Sequence, residues 1–159
     1  MPFIYTDSLA TAGNLTTNGT ANTETETFFL KPGATRSTYL AMLMVGGKGS
    51  AVTSLSAIAL RVMKWGTAST SGTGLAIVPK DAGMPAAVTT GASRPTLGTT
   101  RTNAGPIVTC GATSPNQWVA LNPDHMVGIA AGNGGSISCQ DVGSSVSMLF
   151  EFAAEHQEW

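Results

Sequence analysis

Charged side chains are what this chain has least of. Asp, Glu, Lys and Arg together make up 11% of its 159 residues, against about 25% in ordinary globular domains. Nine acidic and eight basic residues leave a formal charge of −1. With no basic stripe to release counterions, nucleic-acid binding is not expected. Cysteine is limited to Cys110 and Cys139, and there is no CxxC or HxxxH spacing from which a zinc site could be built. The two thiols read as small buried apolar side chains, and whether they pair is left open. His125 and His156 have no evident ligand partners. No apolar run approaches the ~18 residues of a membrane span, and Met1 to Asp7 lacks the charged and apolar regions of a secretory signal. A soluble chain made in a cytoplasm is the expectation, so Asn14 and Asn18 are not expected to carry glycans although both open an Asn-x-Thr triplet.

Small, turn-forming and β-compatible residues fill the space that charge leaves. Glycine alone contributes 19 residues, and Thr, Ser and Ala supply much of the remainder. That composition favours many short strands over helices, which carry Glu, Lys, Arg and Leu on a periodic frame. The length fits one domain with a real core. Its two most apolar runs are Thr38 to Val45 and Thr53 to Trp65, on either side of Gly46-Gly47-Lys48-Gly49. In the first, strict alternation sends Leu40, Met42 and Met44 one way and Tyr39, Ala41, Leu43 and Val45 the other. Neither face is a water face. One is expected to pack against a second sheet and the other to meet long loops or a neighbouring subunit.

Taken in order, Pro2 to Thr6 reads as a short edge strand and residues 7–23 as an arm or surface loop. Thr23 to Leu30 reads as a strand entering the core, stopped by the Pro32-Gly33 turn. Thr53 to Trp65 is compatible with an amphipathic helix, but its Thr- and Ser-rich flank favours a strand, with Gly74 to Pro79 as a hairpin partner. Residues 80–105 carry few large apolar side chains, and Pro85 and Pro95 exclude a continuous helix. A loop of that length is expected to lie extended across the sheet or on a neighbouring subunit. Beyond it, Pro106 to Cys110, Gln117 to Leu121, Met126 to Ala131, Ser136 to Gln140 and Ser144 to Ala153 read as strands, with Asn133-Gly134 as a tight hairpin signal. In the last of these, Val146, Met148, Phe150 and Phe152 share one face. Residues 155–159 are read as a tail. The sum is an all-β chain of about eight to ten strands, an antiparallel β-sandwich of jelly-roll type with long extended loops.

Catalytic patterns are missing. Asp124 and His125 are adjacent in a turn, so their side chains point apart, and no GxSxG elbow accompanies them. Gly46-Gly47-Lys48-Gly49 lacks the spacing and following helix of a phosphate loop. The acidic residues are dispersed, which gives no spacing for paired carboxylates or a calcium loop. No enzyme activity, catalytic residue, metal or cofactor is expected. Trp65, Trp118 and Trp159 could in principle stack on a sugar, as in a carbohydrate-binding module or host-attachment adhesin. Trp65 and Trp118, however, sit in strand patterns where core packing is the commoner fate.

Arg61-Val62-Met63-Lys64-Trp65-Gly66-Thr67, the stretch Gly72 to Asp81 and Met84-Pro85-Ala86-Ala87 resemble small all-β virion proteins of tailed bacteriophages, the jelly-roll capsid decoration or cement proteins. The resemblance implies an oligomer, commonly a trimer, on the capsid exterior that braces the major capsid protein, without a catalytic motif and without nucleic-acid or membrane partners. Candidate partner contacts are then Asn14 and Asn18 in the arm, Met84, Pro85, Arg94 and Arg101 in the long loop, and Trp159 in the tail. Low charge density suits such a surface, because unpaired charges are costly to bury.

Overall fold

A computed structural model describes residues 1–9, 15–16, 25–47, 57–93, 99–111, 115–141 and 149–159. The strands are β1 (Phe3–Leu9), β2 (Leu15–Thr16), β3 (Thr25–Lys31), β4 (Thr38–Gly47), β5 (Ala57–Thr67) and β6 (Thr73–Pro79). They continue with β7 (Thr90–Ser93), β8 (Thr99–Gly111), β9 (Asn116–Val119), β10 (Val127–Ile129), β11 (Ser136–Asp141) and β12 (Leu149–Glu158). Among the described residues the one helical piece is a three-residue 3-10 turn, Pro123–His125. The protein is therefore all-β, and every strand pairing is antiparallel. Thr53 to Trp65 resolves to strand from Ala57 onward, as its flanks indicate.

The sheet runs β10-β4-β12-β1-β6-β7-β3-β11-β5-β8, with β9 also on β4 and β2 on β12. It curls until its ends nearly meet, so the molecule is almost a closed barrel. At the seam, Asn116 Nδ2 of β9 donates to the Thr109 carbonyl of β8 at 2.8 Å. Gly105 of β8 meets β10 closely, since a Cβ there would lie 3.0 Å from Val127 and from Val62. Inside, Phe28 of β3 stacks on Phe152 of β12 with ring centroids 4.1 Å apart, joining opposite walls. Leu30, Leu40, Leu43, Leu60, Val62 and Ile137 complete the centre of the core.

Alternation holds along β12, where Phe150, Phe152 and Ala154 are buried and Glu151 is exposed. It breaks in β4. Opposite Glu155 and His156 the register steps from Met42 to Leu40, leaving Ala41 as a bulge. A bulge of one residue reverses the phase of the side chains. Leu40, Leu43 and Val45 all face the core as a result, while Met44 faces out. The strict two-face division of this strand does not hold.

Other expectations about pairing also need correction. Pro2 to Thr6 is no edge strand, because β1 lies between β12 and β6. β6 pairs with β1 and β7 rather than with β5. The tight turn falls at Ala131-Gly132, closed by Asn133 N–H to the Ala130 carbonyl at 3.3 Å, rather than at Asn133-Gly134, and the connection joins β10 to β11, which sit on different neighbours. Gly46 and Gly47, expected in a hairpin turn, are the last residues of β4, opposite Glu151 and Phe150 of β12, and β4 does not pair with β5; Lys48 and Gly49 lie outside the described residues. Of the arm, Asp7 to Leu9 belongs to β1 and Leu15–Thr16 is β2. The tail is strand as far as Glu158, and the long loop is interrupted by β7 and ends at β8. Cys110 and Cys139 are both buried thiols without a disulfide between them.

Gly91 of β7 pairs with Leu30 of β3, and a Cβ on it would lie 2.6 Å from the Phe29 carbonyl and 3.0 Å from Leu75 Cδ1. Gly91→Ala is expected to destabilise the fold by about 1–3 kcal/mol through overpacking. Urea unfolding measures this, and an unchanged midpoint would mean β7 is not held against β3 at that spacing.

Candidate functional site

Along the inner face of β12 the apolar run Phe150, Phe152, Ala154 is followed in the same phase by His156 and Glu158, both fully buried. β1 places Tyr5 directly opposite His156 and Asp7 opposite Ala154, and both of these are also fully buried. One end of the barrel interior is thus ionic. Buried charges persist only when paired and hydrogen-bonded, and here the partners are present. His156 Nδ1 lies 2.9 and 2.7 Å from the two Asp7 oxygens. A carboxylate can only accept, so Nδ1 carries a proton. His156 Nε2 faces Glu158 Oε1 at 3.7 Å, too far for a hydrogen bond, and has no other partner. The Tyr5 ring stacks on the imidazole at 5.1 Å.

Glu158 collects donors from three directions. Arg36 Nη1 donates to Oε2 at 3.1 Å, and the backbone N–H groups of Val88 and Thr89 donate to Oε1 at 2.9 and 2.7 Å. Residues 80–89 are thereby strapped over this end of the barrel. The Tyr5 hydroxyl donates to the Pro85 carbonyl at 3.1 Å, Ile4 N donates to Met84 Sδ at 3.4 Å, and the Thr38 and Thr89 hydroxyls are 2.6 Å apart. Arg36 lies over the Phe3 ring, 4.5 Å from its centroid. Between the strap and β6 runs an open cleft of about 490 Å³ lined by Leu75, Ile77, Pro79, Ala86 and Ala87 with Thr89 to Gly91.

Burial alone would raise the pKa of Glu158, but the nearby His156 imidazole and the hydrogen bonds from Thr89 and Arg36 bring it down to about 2. Burial alone would lower that of His156, but its hydrogen bonds to Asp7 and the negative charges of Asp7 and Glu158 lift it to about 8. Asp7 is pushed up by burial, against the pull of the imidazole. The Asp7–His156 pair has the form of an oriented base, yet its remaining nitrogen faces a carboxylate. No hydroxyl or thiol among the described residues is hydrogen-bonded to that nitrogen, so the geometry presents a buried ion cluster that fastens a strap.

A second feature lies on the outside near the seam. Met44 is 41% exposed, Ile107 51%, Val119 46% and Leu121 86%. Met44 of β4 stands opposite Gln117 of β9, and Met42 opposite Val119. Residues 38–47, 105–111 and 115–121 contain no charged side chain. A shallow depression of about 270 Å³ among Met44, Pro115, Asn116 and Gln117 sits in this patch.

Of the residues singled out from sequence, Met84 and Pro85 come together at the first feature and the others do not join them. Met84 and Pro85 are in the strap, where they hold β1. Trp159 is 55% exposed, meets Tyr39 edge-on at 6.4 Å and exchanges backbone hydrogen bonds with Ser37. Arg101 is in β8 opposite Trp65; Asn14, Asn18 and Arg94 lie outside the described residues. Sequence reading missed Asp7, Arg36, His156 and Glu158. Asp7 and His156 are 149 positions apart, and the available signal was the phase of β12 carried past Phe152. His125 is an exposed residue of the 3-10 turn. Trp65 is 7% exposed, and its indole N–H donates to Ser138 Oγ at 2.6 Å. Trp118 packs against the core.

With His156 raised from 6.5 to about 8, its contribution to stability is fully present below the unfolded value and is lost as pH rises through the folded one. Glu158, lowered from 4.5 to about 2, contributes above the unfolded value and loses that as pH falls through the folded one. Asp7 opposes Glu158 on the acid side, because protonation relieves its burial. The alkaline limb is the cleaner one. Unfolding free energy is expected to fall by about 2 kcal/mol between about pH 6 and about pH 9; a flat profile from urea titrations would remove the imidazolium from the cluster.

Compared with known proteins, the chain matches no family model, no curated protein and no solved structure.

Proposed function

We propose that the protein is a structural component of a virion, a capsid decoration or cement protein that sits outside the major capsid shell and braces it, assembling with copies of itself as a trimer. In this reading the curled sheet is a jelly-roll sandwich. The two halves of the sheet, β10-β4-β12-β1-β6 and β7-β3-β11-β5-β8, exchange the chain repeatedly, as a jelly roll does. The observation that carries the functional reading is the exterior patch of Met44, Ile107, Val119 and Leu121, set in three segments without charge. An exposed apolar surface of this kind marks protein contact. Sugar binding is the weaker reading, because Trp65 is buried with its N–H satisfied and Trp118 faces the core, leaving Trp159 without a platform.

Capsids purified from infected cells are expected to carry the chain at a fixed ratio to the major capsid protein, and its absence from particles would end the assignment. The double variant Met44→Asp, Val119→Asp places charge on the patch while leaving the core side chains in place. It is expected to lower capsid occupancy by about tenfold or more, since a charge desolvated without a partner costs several kcal/mol. Sedimentation of the free chain tests self-association separately, with a monomer at all concentrations counting against the trimer.

A further inference from the structure

We propose that residues 84–89 form a pH-controlled strap, closed over the ionic end of the barrel while His156 is protonated and released when it loses that proton. The device rests on geometry around one atom. His156 Nε2 is fully enclosed, has no hydrogen-bond partner, and points at Glu158 Oε1 from 3.7 Å. As an N–H of an imidazolium it puts positive charge against the carboxylate. As the bare nitrogen of a neutral ring, with Nδ1–H kept by Asp7, it puts a lone pair against an anion. Glu158 Oε1 is the same oxygen that receives the Val88 and Thr89 amides. A shift of Glu158 away from the neutral ring therefore acts directly on the two backbone hydrogen bonds that hold the strap.

The charges around His156 account for the direction of the switch. From β1 it faces Asp7 and Tyr5, from its own strand Glu158, and from the connection before β4 Arg36. Glu155, next to it in sequence, pairs with Lys80 at the start of the strap. The β4 residues opposite β12 at this end, Thr38, Tyr39 and Leu40, bring no charge. With His156 protonated, the set formed by the buried Asp7, Glu158 and His156 and the partly exposed Arg36 is balanced at two negative and two positive. Without that proton one negative charge is left uncompensated, and Arg36 is shared between Glu158 and the Tyr5 hydroxyl, 3.1 and 3.5 Å away. The upward shift of His156 places the change in a mildly alkaline range. Ala86, Ala87 and Thr89 also form one wall of the open cleft beside β6, so release of the strap widens that cleft.

Amide exchange on the intact chain, followed residue by residue by NMR and expressed as protection relative to the unstructured rate, tests the strap. Between about pH 6 and about pH 9 the protection of Val88 and Thr89 is expected to fall by up to about thirtyfold, the equivalent of a shift of about 1.5 pKa units. The midpoint should coincide with the His156 imidazole titration in the same samples. Amides of β5 and β11 should keep a protection well above that of the strap throughout. Strap protection that persists to about pH 9, or that falls only in step with β5 and β11, overturns the proposal. The wild-type titration decides the matter alone. His156→Gln, where it folds, should show low Val88 and Thr89 protection already at about pH 6, and full protection in that variant also overturns it.

Discussion

A carboxylate removed from water must be surrounded by donors, and the end of this barrel is built around that requirement at Glu158. Arg36 comes from the connection after β3, the Val88 and Thr89 amides from the strap, and the imidazole from two residues back on β12. Each of those groups is tied elsewhere in turn. His156 is held by Asp7 of β1, and Thr89 meets Thr38 of β4. One buried anion thus fixes the relative positions of β1, β4, β12 and residues 84–89. Replacing such a cluster with apolar side chains often costs a protein little, whereas removing a single member leaves a buried charge unpaired. The arrangement is consequently less a source of stability than a specification of which segments meet at this end.

Sheet closure imposes the second constraint, and it works through irregularities. The bulge at Ala41 turns β4 so that Leu40 and Leu43 both reach the core. On β8 the register moves from Ile107 opposite Arg61 to Asn103 opposite Met63, so that Ala104, Gly105 and Pro106 stand against a single residue of β5. That bulge removes the need for a ladder hydrogen bond at Pro106 and brings Gly105 between Val62 and Val127. Bulges bend strands and add twist, which is what a sheet needs before its ends can approach one another.

These two constraints explain which features were legible in the sequence. Local signals were read correctly: the all-β class from composition, the strand at Ala57 to Trp65 from its Thr- and Ser-rich flank, and the buried phase of Phe150 and Phe152 from alternation. Pairing was not, because among the described residues β6 and β7 are the only strands adjacent in the chain that are also paired, so turn residues such as Asn133-Gly134 signal a reversal without naming its partner. The Ala41 bulge leaves no mark in residue type. The ionic cluster was illegible for the same reason as the pairing: Asp7, Arg36 and His156 acquire meaning only when β1 and β12 become neighbours. A lone histidine among apolar positions carries no hint of two carboxylates brought to it from distant parts of the chain.

β4 joins the interior to the exterior. Its first residue, Thr38, is opposite Glu158 and meets the strap, while the outward side chains of its second half, Met42 and Met44, stand beside β9 in the exterior patch, with Glu155 opposite Met42 at its border. The bulge at Ala41 separates the two regions and sets the phase of the second. Without it, Leu43 and Val45 would face outward and Met42 and Met44 inward, so the patch would be built of different side chains and the core would lose two of its fully buried members. A polar cluster is thus buried at the barrel mouth, beside a core that is otherwise apolar. A chain with few charges has used two of its carboxylates where they order the fold, while the three segments that carry Met44, Ile107, Val119 and Leu121 bring no charge of their own.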